Sequence, residues 1–243
     1  MEQEKKSTII KVVIGILAVV IIALAVFCAS RVFRLESVEY EGLTVYTPEE
    51  MNNYIFNGKE NVNTLVYYVL YANKDKSTIP FIQSYDVKME WPDKIKIRVY
   101  EKSVIGYVNY MGCNMYFDKD GIVVDSSLER LEGVAEITGL AYNNIVLHSK
   151  LDVENDEVFD IILNLSQLLQ QYGLDAQKIY FDAALNVTIY IDEVKIQLGS
   201  TYNMTEKLYE VSQMWSSICD LSGTLRMDTY SEDATSYIFE KNN

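Results

Sequence analysis

The sequence predicts an α+β protein: a single N-terminal transmembrane helix, then a small domain in β-α-α-β-β order, then a larger, mostly antiparallel β-sheet domain with two helices. Three observations predict it. An uncharged apolar run extends from Val12 to Ser30. Downstream, a Thr-Pro-Glu-Glu start at 47–50 lies close to a stretch, Asp86 to Lys102, that alternates apolar and charged residues about a Trp-Pro-Asp turn. Beyond residue 103, short alternating segments are interrupted by two long amphipathic ones.

The N-terminal element comes first. A helix of about 20 apolar residues spans a bilayer, and here the apolar character starts at Ile9 and runs to Ser30 around Lys11, whose amine can snorkel to the headgroups. Lys5, Lys6 and Lys11 precede the span and Arg31 and Arg34 follow it, so the charge bias places the N-terminus in the cytoplasm. A cleavable signal peptide would present a small-x-small pattern such as Ala23 and Ala25, but apolar residues continue through Phe27, too far for such a segment. A lipid anchor at Cys28 is disfavoured by the bulk of Phe27. The expectation is an uncleaved signal anchor at 9–30, a tail at 1–8 inside, and the remainder outside.

The small domain, expected over 33–102, opens with "LESVEYEG", a short strand ending at Gly42. Thr47 as N-cap, Pro48 at the first helical position and Glu50 three residues on form a capping box, and Met51, Tyr54 and Ile55 give that helix one apolar face to its end at Gly58. "NVNTLVYYVLYAN" supplies a second helix and "KDKSTIP" a break. The hairpin follows. Val87, Met89 and Trp91 face one way on its first strand, and Ile95, Ile97 and Val99 alternate with Lys94, Lys96 and Arg98 on its second. Pro92 cannot donate to a ladder and belongs in the turn. Val38, Tyr40, Val87, Met89, Ile95, Ile97 and Val99 are the expected core. The basic face, with Lys88 and Lys102, is read as a solvated surface before a binding one.

The second domain is expected over 103–243. "VIGYVNYM", "NMYFDKDGIVVD" and "EITGL" read as strands and turns, and "DVENDEVFDIILNLSQLLQQYG" as a helix with Val158, Ile161, Ile162, Leu165, Leu168, Leu169 and Tyr172 on one side and Gly173 closing it. "KIYFD", "NVTIYI" and "VKIQLG" are three strands. "NMTEKLYEVSQMWSSICDL" is a helix with Leu208, Val211, Trp215 and Ile218 on one face and an apparent capping box of Asn203 and Glu206. "GTLRMDTY" and "TSYIFEK" finish as strands.

Composition narrows the function. A net charge of −14 argues against nucleic acid, which needs clustered Lys and Arg. One histidine, His148, with no partner base removes most acid–base and metal chemistry, and no cofactor is implied. Cys28, Cys113 and Cys219 have no metal or redox spacing; Cys113 and Cys219 either pair in space or, more simply, remain buried thiols. Asp118 and Asp120 beside Gly121 read as turn residues satisfying their own backbone rather than as a calcium loop. Absence of chemistry points to a binding protein, not an enzyme.

Five phrases carry a family resemblance: "VEYEGLTVYTPEEM", "NTLVYY", "IPFIQSYDVKMEWPDKIKIRVYEK", "YFDKDGIVV" and "LERLEGVAEITGL". With the β-α-α-β-β order directly after a signal anchor, they resemble the FtsQ/DivIB family of bacterial cell-division proteins, in which a POTRA domain is followed by a β domain. The resemblance covers residues 5 to 140, the anchor and the phrases together, and the rest by order of elements. Tyr40 stands in place of a small aliphatic residue, Val104 where a Pro often follows the Glu-(Arg/Lys) pair, and Glu132 near the usual Leu-Pro site. The resemblance implies a non-enzymatic bitopic scaffold of the divisome in the cell membrane at the division septum. It would link small bitopic partners of the FtsL and FtsB/DivIC type and regulate the septal peptidoglycan synthase complex. A POTRA-bearing component of an export or envelope-assembly system, or an anchored extracytoplasmic sensor, are the alternatives; the former lacks barrel-length strands here, and the latter lacks a cytoplasmic domain.

A partner site follows from sheet physics. The last strand, Thr235 to Glu240, is the expected sheet edge, and an open edge accepts a strand from a partner. Tyr237 and Phe239 on one face and Ile238 on the other, extended by Tyr230, are the candidate contact residues.

Overall fold

A computed structural model of the chain describes residues 2–56, 62–71, 79–231, 233 and 236–242. Helix α1 runs from Glu2 to Val32. Its stretch Lys11–Val32 is long and apolar enough to cross a membrane, and none of it is buried by the rest of the chain. At 22 residues this stretch is about 33 Å long, enough for a hydrocarbon core of about 30 Å. The helix thus continues two residues past the expected end at Ser30. The rest is mixed helix and sheet, and the chain divides into two compact units, Met1–Glu101 and Lys102–Asn243.

In the first unit, α1 is followed by β1 (Ser37–Glu41), α2 (Pro48–Phe56), α3 (Thr64–Tyr71), β2 (Ile82–Glu90) and β3 (Lys94–Glu101). This is the expected β-α-α-β-β order. The capping box forms: Thr47 N donates to Glu50 Oε2 at 2.8 Å and Glu50 N to Thr47 Oγ1 at 3.3 Å. These backbone and hydroxyl bonds hold the Glu50 carboxyl below its usual range. The expected end of α2 at Gly58 and most of the "KDKSTIP" break lie outside the described residues. Trp91 to Asp93 form the turn between β2 and β3, with a cis Trp91–Pro92 bond.

The three strands pair in the order β1-β3-β2, with β1 parallel and β2 antiparallel to β3. Central position decides burial. Ile95, Ile97 and Val99 on β3 are 1%, 0% and 3% exposed, whereas Val87 and Met89 on edge strand β2 are only half-buried. Trp91, expected to share their face, lies beyond the strand in the turn and is exposed. Tyr40 is accommodated because its hydroxyl donates to Asn52 Oδ1 at 2.8 Å while its ring packs against the core. The basic face is a charge ladder. Lys96 Nζ sits 2.6 Å from Glu41 and 3.6 Å from Glu39, and Arg98 reaches Glu41 at 3.1 Å. Hydrogen bonds from Lys96 and then Arg98 hold the Glu41 carboxyl below its usual range. Glu101 accepts the amides of Thr44 and Val45 at 2.7 and 2.9 Å and ties down the loop after β1.

The second unit contains β4 (Gly106–Tyr110), β5 (Cys113–Phe117), β6 (Val123–Ser127), β7 (Glu136–Thr138), α4 (Glu157–Tyr172), β8 (Lys178–Phe181), β9 (Val187–Ile191), β10 (Val194–Gly199), α5 (Met204–Ile218), β11 (Gly223–Arg226) and β12 (Ile238–Lys241). They form one nine-stranded sheet in the order β12-β11-β10-β9-β8-β7-β4-β5-β6. Five of its eight pairings are antiparallel; β4–β7, β7–β8 and β10–β11 are parallel. Strands β9 and β10 alternate buried and half-exposed residues, and α4 and α5 share one core with the buried set.

On α4, Phe159 joins the expected buried residues, while Ile161 and Tyr172 are half-buried. Gly173 caps this helix in the left-handed conformation, which a Cβ would disfavour. The expected box at α5 does not form. Asn203 is itself left-handed, at φ 52°, and makes no side-chain cap bond; its carbonyl instead accepts Lys207 N at 3.0 Å. Cys113 and Cys219 are unpaired, each half-exposed.

Candidate partner-binding edge

A strand adds to a sheet only where the ladder is open, so the two ends of the nine-stranded sheet decide where a partner could enter. At one end, the chain itself covers part of β6. His148 N donates to Val123 O at 2.7 Å and Val123 N to Ser149 O at 3.0 Å. Lys102 Nζ takes Val124 O at 3.1 Å and pairs with Asp125 at 2.7 Å. At the other end, β12 pairs with β11 on one side, and among the described residues no strand pairs with its other side.

The position of β12 is built by its neighbour. Ile238 lies opposite Arg226, Phe239 opposite Leu225, Glu240 opposite Thr224 and Lys241 opposite Gly223. A Cβ on Gly223 would stand 2.4 Å from Glu240 O and 2.7 Å from the Phe239 ring, so only glycine lets β12 approach this closely. The Asn242 amide extends the pairing to Ser222 O at 3.0 Å. Arg226 pins the corner, reaching Asp228 at 2.8 Å and Glu240 at 3.5 Å. Its guanidinium holds the Asp228 carboxyl below the usual carboxylate range.

The strand begins later than expected, at Ile238 rather than Thr235, and reaches Lys241. Thr235 lies outside the described residues. Tyr230 and Tyr237 stack with ring centroids 6.3 Å apart and planes 9° from parallel. Together with Phe239 they pack, half-buried, against the core. Burial, then Glu210 and Tyr230, push the Tyr237 phenol up. Ile238 points the other way and is 58% exposed. The candidate residues therefore come together, but with unequal duties. The aromatic rings hold β12 to its own domain, and Ile238 stands exposed on the other face. Arg226 and Gly223 were not singled out by sequence reasoning, because their roles appear only once β11 and β12 are paired.

The Asp118–Gly121 segment is a turn. Asp118 Oδ1 accepts Asp120 N at 3.0 Å and Ile122 N at 2.9 Å, the self-satisfied turn expected. His148 is exposed and has φ 64°. Among the described residues no group of three or more His, Cys, Asp or Glu is placed to hold a metal ion.

No protein-family profile matches the chain. The chain is similar to the cell division protein DivIB of Clostridium botulinum (strain Hall), with 22% identity over 214 residues, 85% of this chain and 81% of that protein. The similarity to DivIB therefore covers most of the chain, in line with the resemblance carried by the five phrases.

Proposed function

We propose that this chain acts in bacterial cell division as a non-enzymatic, single-pass membrane scaffold. The observation that carries the reading is the similarity to DivIB, which covers 85% of the chain. In this reading α1 anchors the protein with its N-terminus in the cytoplasm and the chain after it outside, at the septum. The β1–β3 unit is a POTRA domain and the nine-stranded unit the β domain. The partners are small bitopic proteins of the FtsL and FtsB/DivIC type, through which septal peptidoglycan synthase is regulated.

The open side of β12 supports a docking mode by strand addition, with main-chain bonds setting register and Ile238 supplying exposed apolar area. Tyr230, Tyr237 and Phe239 keep the strand seated. Depletion followed by microscopy tests the division role: filaments without septa support it, and septate cells with a secretion defect refute it. Deleting 236–243 and measuring capture of the FtsB/DivIC-type partner tests the edge, with unchanged capture refuting it.

A further inference from the structure

The end of α1, the start of α3 and the β2–β3 turn meet around one residue, Phe33. Phe33 N closes the last turn of α1 on Ala29 O at 3.0 Å. Its carbonyl accepts Thr64 N at 2.8 Å and the Thr64 hydroxyl at 3.1 Å, and that hydroxyl also contacts Pro92 O at 2.6 Å. Glu36 N donates to Asp93 O at 2.8 Å. The Phe33 ring stands edge-on to Trp91, centroids 5.0 Å apart and planes at 82°. Despite this contact Trp91 is 71% exposed, in a turn where no strand needs it. On the first turns of α3, Leu65, Val66 and Val69 are also exposed, at 37%, 53% and 69%. Their spacing of three and four places them on one helix face.

We propose, resting on the membrane-spanning role of α1 given above, that Trp91 and Phe33 form a seat on the lipid bilayer at the headgroup boundary of the leaflet where α1 emerges. The seat is extended by the exposed Leu65, Val66 and Val69 of α3, the helix whose first residue Thr64 bonds to Phe33 and Pro92. Chain continuity selects this occupant. Phe33 directly follows Val32, the last residue of the apolar stretch, so its Cα is about 3.8 Å from the end of the span. Because the span is slightly longer than the hydrocarbon core, Val32 emerges at the boundary, and the ring touching Phe33 emerges with it. Trp is the side chain best suited to that depth, since its ring is apolar and its N–H needs a polar partner. Arg31 and Arg34 flank the exit, and Lys88 and Lys94 of the hairpin are offset by Glu90 and Asp93. The side chains of the seat itself are apolar, so neutral phosphatidylcholine is a sufficient surface on which to test it. Its consequence is mechanical: the first unit is held at the membrane surface by contacts on both sides of Phe33 rather than tethered through a free linker.

The test is fluorescence of the full chain in phosphatidylcholine vesicles whose acyl chains are brominated near the headgroup. The chain has two tryptophans, Trp91 and Trp215. Resistance to carbonate extraction first checks that α1 is inserted. Brominated lipid should quench part of the wild-type emission, and Trp91→Phe, a change at an exposed turn, should remove that quenched part. Three results overturn the proposal: extraction by carbonate, absence of lipid quenching in the wild type, or quenching that persists in Trp91→Phe. A Trp91 emission shielded from aqueous iodide but untouched by brominated lipid would assign the patch to a second copy or another protein, and also overturns it.

Discussion

Replacing Ile97 by alanine tests the register of the first unit. Ile97 lies on the central strand, opposite Tyr40 of β1 and Val87 of β2, and is 0% exposed. The substitution removes three buried carbon atoms. At about 0.8 kcal/mol each the transfer loss is about 2.4 kcal/mol, and the cavity left between two flanking strands raises it within the range of roughly 2–5 kcal/mol. Its neighbour Lys96 points to the opposite face, and its ion pair with Glu41 joins side chains 27% and 37% exposed. Water screens such a pair and Arg98 still reaches Glu41, so Lys96→Ala should disturb the sheet far less. Hydrogen exchange of the full-length protein in detergent resolves the two units separately, because protection reports local opening. Exchange in β2 and β3 should speed up by roughly 50-fold or more in Ile97→Ala, with β9 and β10 unchanged. If Lys96→Ala loosens β2 and β3 while Ile97→Ala does not, the strand is out of register by one residue and the assignment of its faces is refuted.

Three further outcomes are expected at the candidate edge. Ile238→Ser should weaken capture of a strand-donating partner with no change in melting temperature, whereas Phe239→Ala should lower the melting temperature because its ring packs on the core. Equal effects of the two on melting would show that the faces of β12 are misassigned. Gly223→Val should displace β12, since a Cβ there meets Glu240 O and the Phe239 ring; faster exchange confined to 222–226 and 238–242 is the expected reading. Asp228 has a carboxyl held below its usual value of 3.8, so its contribution is complete above that pH and is lost as pH falls through the lower folded value. Asp228→Asn should therefore flatten the acid limb of the stability curve below about pH 4, and an unchanged limb would place the acid sensitivity elsewhere.

Local signals made much of the fold legible. The capping box at Thr47 and Glu50, the alternation on both sides of Trp91-Pro92-Asp93, the apolar period of α4 and the closing Gly173 each depend on neighbours within a turn or two, and each stands in the structure. So does the apolar helix at the N-terminus, since its apolar run is continuous in sequence and depends on no distant contact. Where sequence reading went astray, the deciding contact was distant. Trp91 reads as a continuation of the Val87 and Met89 face until β2 stops at Glu90. Asn203 and Glu206 have capping-box spacing, but the chain enters α5 through a left-handed residue, and spacing carries no information about φ. The basic hairpin face is legible as charge, yet its pairing with Glu39 and Glu41 exists only because β1 lies parallel to β3. The candidate site divides the same way. Its residue types, Tyr230, Tyr237, Ile238 and Phe239, could be picked out from a short aromatic strand. Which of them face inward was decided by the pairing of β12 with β11, and the partial covering of the other sheet end by the pairing of the 148–151 segment with residues 121–123, because side-chain period determines only that alternate residues share a face and tertiary packing chooses which face is buried.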